Sequence, residues 1–165
     1  MKKKYILMGI CVMIVLVFFF APPKVYGFDE LIEKTRDELS ISDVDTVELK
    51  YAGAVGKEDS ILFWFIAGNE HQARYYLPME FRYLDRNMFL FVKSYKPIER
   101  SRDVAVLQWQ RGYCFVNNNS DCAALQIEET ILEMPDGVLP YIEYMEFIPS
   151  SYAFLDKSGQ EIPVL

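Results

Sequence analysis

The sequence predicts an α+β fold, with an N-terminal amphipathic helix packed on a curved, mainly antiparallel sheet of about seven short strands. Two observations predict it. Apolar residues recur with a helical period over residues 28–39 and then with a period of two from Val47 onward. Beyond that switch, clusters of Gly, Asn, Asp and Pro cut the chain into short β-prone runs with no second helical stretch.

The helix is read first. Phe28, Leu31, Ile32, Thr35 and Leu39 fall on one face, and Glu30, Glu33, Lys34, Asp37 and Glu38 cover the rest. Asp29 and Glu30 suit the positive end of the helix dipole. Ser40, Ser42 and Asp43 end the pattern.

The strands follow. Val47, Leu49 and Tyr51 alternate with polar neighbours, and Gly53, Gly56 and Lys57-Glu58-Asp59 read as a turn. Residues 61–67 (ILFWFIA) are apolar on both faces, which predicts a central strand. Arg74–Leu84 and Met88–Tyr95 form a hairpin candidate, with Pro78 placing its first arm at an edge or bulge. Val104–Trp109 turns at Gln110-Arg111-Gly112 into Tyr113–Val116. The tip Asn117–Asp121 then leads to Ala123–Glu128, a further predicted hairpin. Pro135-Asp136-Gly137 is a turn, Tyr141–Ile148 a strand, and Phe154–Ile162 a last short hairpin. Cystatin-like folds share this helix-then-strands order, an analogy of fold alone that carries no function.

The N-terminus addresses the chain to a membrane. Lys2, Lys3 and Lys4 precede Tyr5–Ala21, a run of 17 residues without a charge, which Pro22, Pro23 and Lys24 close. That pattern fits a secretory signal cut after Val25-Tyr26-Gly27, or a single retained span. The run's length and the two prolines favour the anchor. The domain expectation is therefore residues 1–27 as signal or anchor and 28–165 as a single extracytoplasmic α+β domain. The lysines keep the N-terminus inside. The chain is then a single-pass membrane protein with its domain outside the cytoplasm, or a secreted one after cleavage near Gly27. Cys11 lies inside the apolar run after Ile10, so it is no lipoprotein acceptor.

Charge narrows the partners. The chain carries a formal −7, and residues 25–165 carry −11. That argues against nucleic acid or an anionic membrane surface as partners. Residues 74–111 are locally basic at +4, between acidic flanks of −7 and −8. Cross-strand ion pairs are the simpler reading. A local anion site drawn from Arg74, Arg82, Arg86, Arg100 and Arg102 is the functional one.

Few residues suggest chemistry. Cys114 and Cys122 flank the Asn-rich tip and are a candidate disulfide if the hairpin centres on Asn118; a one-residue shift turns them to opposite faces. Two small buried residues with free thiols are the alternative. Their spacing lacks the CxxC geometry of redox motifs. His71 is the single histidine, so neither a His-rich metal site nor a triad with a recognisable nucleophile is expected, and no Gly-rich phosphate loop appears. No cofactor and no metal are expected. Asn118-Asn119-Ser120 matches a glycosylation acceptor, relevant in a eukaryotic secretory route. The dense aromatics read as core, with Trp64, Tyr76, Phe91 and Trp109 as the candidate lining of a ligand groove.

These observations predict a non-enzymatic extracytoplasmic binding or interaction module, tethered or secreted. Its expected partners are the bilayer, through residues 5–21 if uncleaved, and an unknown protein, peptide or glycan. An extracytoplasmic hydrolase using paired carboxylates and a structural subunit of an envelope assembly are the alternatives.

Overall fold

The computed structural model describes residues 24–38, 48–68, 75–99, 103–135 and 137–164. The leader, His71, Arg74, Arg100 and Arg102 lie outside them. The described chain is mostly antiparallel sheet with one helix, so the α+β expectation holds. The count of about seven strands does not. Among the described residues thirteen strands lie in three sheets, and the helix is short and follows a strand, so it is not clearly N-terminal.

The first sheet takes β1 (Lys24–Tyr26), β2 (Glu48–Lys57), β3 (Ser60–Gly68), β4 (Tyr75–Asp85), β5 (Met88–Ser94) and β6 (Ile98–Glu99), in the order β1-β5-β4-β3-β2 with β6 also on β4. Helix α1 spans Gly27–Asp37, between β1 and β2. Next come β7 (Val104–Trp109), β8 (Gly112–Asn117), β9 (Cys122–Ile127), β10 (Thr130–Glu133), β11 (Tyr141–Met145), β12 (Tyr152–Asp156) and β13 (Glu161–Ile162). These form a second sheet, β11-β8-β7, and a third, β10-β9-β12-β13.

Alternation on two strands stacks the layers. On β3, Phe63, Phe65 and Ala67 face α1 and pack with Leu31, Leu77, Met79 and Phe81. Leu62, Trp64 and Ile66 face the other way and meet Ala105, Trp109, Cys114 and Val116 of the second sheet. Strand β8 repeats the arrangement: Phe115 points away from Cys114 and Val116, toward Leu125, Ile127 and Phe154 of the third sheet. Strands apolar on both faces are therefore central layers, as expected of β3. The Phe63 and Phe89 rings meet edge-on with centroids 5.6 Å apart, reaching across β4 on the face that α1 covers.

Three strand expectations are corrected. Gly53 and Gly56 do not turn the chain. Strand β2 runs through both, bulges between Tyr51 and Gly53, and turns at Glu58-Asp59. Gly53 serves a close approach instead, since a Cβ there would meet Ile142 Cδ1 at 2.7 Å. Pro78 is not on an edge strand, because β4 lies between β3 and β5, whereas the bulge half of the expectation holds: β4 bulges between Glu80 and Phe81 and between Tyr83 and Asp85. The Pro78 carbonyl accepts from Tyr95 N at 3.0 Å, and in a strand the N–H and C=O of one residue point the same way. The missing donor thus faces the gap where β4 changes partner from β5 to β6, and no bond to β3 is lost.

The third correction concerns the Asn-rich tip. Strands β8 and β9 do not pair: β8 lies between β7 and β11, and β9 between β10 and β12. Asn117 Oδ1 accepts from Asn119 N, and Asn119 Oδ1 accepts from Asp121 N, both at 2.8 Å. Asn118 N donates to Asp103 O at 2.7 Å. These side-chain turns lead the chain out of one sheet and into the next instead of closing a hairpin.

Candidate functional site

The sequence-predicted site residues are dispersed. Cys114 and Cys122 are both buried free thiols. Cys114 packs between the first and second sheets, Cys122 between the second and third. The candidate disulfide is therefore not formed, because β8 and β9 belong to different sheets and no shared register brings the sulfurs together. Burial pushes the Cys114 thiol up to about 12. The Trp64 side chain opposes this by favouring the thiolate, but burial outweighs it.

The candidate groove is not a groove. Trp64, Tyr76 and Trp109 are fully buried between the first two sheets. Phe91 lies on the opposite face of the first sheet, under the Lys34 ammonium at 4.5 Å. The indole Nε1 of Trp109 is buried without a hydrogen-bond partner among the described residues, and that of Trp64 finds only a weak contact toward the Cys114 sulfur. Leaving an N–H unpaired costs about 1–3 kcal/mol. Burying roughly 200 Å² of indole returns about 5 kcal/mol, so burial wins.

Of the candidate anion-site residues that are described, Arg82 is paired with Asp59 at 3.1 Å and Arg86 sits in the exposed β4–β5 turn. Lys93 meets the buried Glu80 at 3.7 Å, on the strand beside it. The Tyr95 hydroxyl donates to Glu80 at 2.7 Å, and burial with this bond raises the Tyr95 pKa. Part of the local basicity is thus spent on cross-strand pairing.

A cleft of about 630 Å³ opens where three strand ends meet. Lys57 and Glu58 come from the β2–β3 turn, Gln110 and Arg111 from the β7–β8 turn, and Tyr144 and Glu146 from the end of β11. The turns are two-residue connections between Lys57 and Ser60 and between Trp109 and Gly112. Glu58 and Gln110 take φ of 57° and 50°. Asn87 and Glu128 do the same in the other two-residue hairpins, so this backbone strain belongs to hairpin closure, not to chemistry. Lys57 pairs with Glu146. That bond is the main cause of the raised Lys57 pKa, with burial opposing. The Tyr144 ring stands edge-on to Trp109 at 5.1 Å, which fixes it against the core. Its pKa is raised by burial, and Lys57 opposes the rise. Arg111 makes no ion pair among the described residues and is exposed.

Nothing in the sequence pointed to this cleft. Its six residues have the sequence pattern of turns or of part of a strand, and they come from three stretches more than thirty residues apart. Only the stacking of the first two sheets unites them. Among the described residues no cluster of three or more His, Cys, Asp or Glu is arranged to hold a metal. Among the same residues no helix is long and apolar enough to cross a membrane. No protein-family model, no curated protein and no solved structure matches the chain.

Proposed function

We propose that this protein is a membrane-tethered binding module, held outside the cytoplasm by residues 5–21, that takes a ligand bearing an anionic group in the cleft at Arg111. The observation that carries the binding half is Arg111 itself: an exposed residue with no carboxylate partner among the described residues, on the wall of a 630 Å³ cleft. A planar fork of donors favours carboxylate or phosphate groups. The Gln110 amide and the Tyr144 hydroxyl add neutral hydrogen-bonding partners, and the Lys57–Glu146 pair borders the cleft.

Tethering is supported by β1. The signal-type cut after Gly27 would remove β1, with Val25 buried against Phe89 and Gly27 N donating to Asn87 O at 2.7 Å. A retained anchor keeps these contacts. The lysine patch fits an orientation with the domain outside.

The test is a binding screen of carboxylate-ended peptides, acidic glycans and phosphate esters against the full-length protein and Arg111→Ala. A ligand that binds the first and binds the variant at least about tenfold more weakly supports the reading. Equal binding by both, or hydrolysis of a panel glycan that Glu58→Gln abolishes, overturns it. Protease added to intact cells should digest the domain.

A further inference from the structure

We propose that the outer face of the β1–β5–β4 flank of the first sheet lies on the surface of the bilayer that holds the N-terminal span. The inference rests on the tethered reading above and goes beyond it by naming which face meets the lipid.

This part of the sheet has one covered face and one uncovered face. Val25, Phe89 and Phe91 point toward α1 and belong to the first core. The residues that alternate with them point the other way. Lys24 stands opposite Leu90, which stands opposite Arg82, and Tyr26 stands opposite Met88. The second sheet covers this side of β2, β3 and the first part of β4, and no residue of β1 or β5 enters that core. The uncovered surface therefore carries Tyr26, Met88 and Leu90 at its centre. Asp85 stands opposite Met88, Leu84 is the bulged residue before it, and Lys24 and Arg82 lie at the border. Tyr26 is 55% exposed and Leu84 41%, whereas Met88 and Leu90 are half-buried. Exposed apolar side chains grouped on one sheet face mark a contact surface more than scattered ones do.

The position of the leader selects the lipid surface as the occupant. Lys24 lies on this face and follows Ala21, the last residue of the uncharged run, by three residues. Three residues span at most about 11 Å. Strand β1 cannot pay out extra length, because Val25 is buried and pairs with Phe89. The face is thus held within about a headgroup layer of the hydrocarbon boundary. Tyrosine with its polar tip, aliphatic side chains, and long cations whose heads can stay in water are the residue types that favour that layer. The domain as a whole is acidic, at −11 over residues 25–165, so contact comes from apolar insertion and needs no anionic lipid.

The test uses the full-length protein in phosphatidylcholine nanodiscs. An environment-sensitive fluorophore is placed by Leu84→Cys or, as a control on the third sheet, Ile131→Cys, each with Cys11→Ser. Cys114 and Cys122 are buried and label slowly. Lipids brominated near the headgroup should quench the probe at position 84 and leave the probe at 131 unchanged. Equal quenching at both positions, or none at 84, overturns the proposal. So does a blue shift at 84 that grows with protein concentration in detergent, which assigns the face to a second copy. Buried Trp64 and Trp109 report that each variant is folded. Failure of the tether itself appears separately: the protein then leaves the membrane on carbonate extraction. Retention without quenching at 84 sinks only the docking face.

Discussion

Gly112 opens β8 so close to the end of β11 that a Cβ on it would overlap the carbonyl oxygen of Met145. Real side chains never come that near, and the obstacle is backbone, which cannot rotate away. Gly112→Ala should therefore cost about 3–5 kcal/mol, enough to unfold a marginal domain. Gly53→Ala meets only the tip of Ile142, at 2.7 Å, but also a φ of 148° that alanine resists. It should cost less, about 1–3 kcal/mol. Urea denaturation of the two variants checks the order.

Cys114 and Cys122 should both alkylate in denaturant without prior reduction, and peptide mapping should find each modified. In the folded protein the Cys114 thiol should resist iodoacetamide at pH 8, because its pKa is pushed up to about 12 by burial. A mixed peptide linking residues 114 and 122 in unreduced digests would contradict the layered arrangement of β8 and β9.

Trp109→Phe sets two effects against each other. It gives up part of the indole's buried area but removes an N–H that has no partner among the described residues. The first costs about 1–2 kcal/mol and the second returns a comparable amount, so the change should be small. Phe115→Ala has no such compensation. Its ring packs between the second and third sheets, in contact with Tyr152 and Phe154, and its loss should cost about 3–5 kcal/mol. Chemical denaturation of both variants should separate them clearly.

Acid should loosen the C-terminal turn first. Asp156 Oδ1 accepts from Ser158 Oγ at 2.7 Å, Ser158 N at 2.8 Å and Gln160 N at 2.9 Å, and these bonds hold its pKa below the ordinary value. Glu128 is lowered by the backbone and hydroxyl of Ser150. A carboxylate lowered by folding stabilises fully above its unfolded pKa, and that contribution is lost as pH falls through the folded value. Melting temperature should thus decline below about pH 4, and Asp156→Ala with Glu128→Ala should flatten the decline. Amide exchange at residues 156–160 should rise over the same window.

Intact mass of the protein purified from membranes should include residues 24–27. Removal of residues 1–27 should lower stability by about 1–3 kcal/mol through loss of Val25 from the core and of the β1 ladder. A mature N-terminus at Phe28 on a fully stable domain would contradict the role given to β1.

Much of the fold was legible along the chain because it depended on neighbours in sequence. The helical period from Phe28, the two-faced apolar run of β3, and the turns at Arg86-Asn87 and Gln110-Arg111 all appear where local pattern placed them. Strand β1 was missed because Lys24–Tyr26 reads as the end of a leader, and its pairing with β5 is a contact across more than sixty residues. Gly53 and Gly56 misled because glycine signals a turn by local preference, whereas here Gly53 admits a neighbouring side chain.

The sequence by itself determined that this chain alternates one helix with many short strands, that its domain is acidic, and that a charge-free run precedes it, since period, charge and run length are properties of residues in order. Only the tertiary structure decided how the strands divide into sheets. That division rests on contacts between distant residues, which local preference does not encode. It sent Cys114 and Cys122 into separate cores, buried Trp64, Tyr76 and Trp109, and joined Lys57, Arg111 and Tyr144 at one cleft. It also left one flank of the first sheet uncovered beside Lys24, where the chain comes from the apolar run.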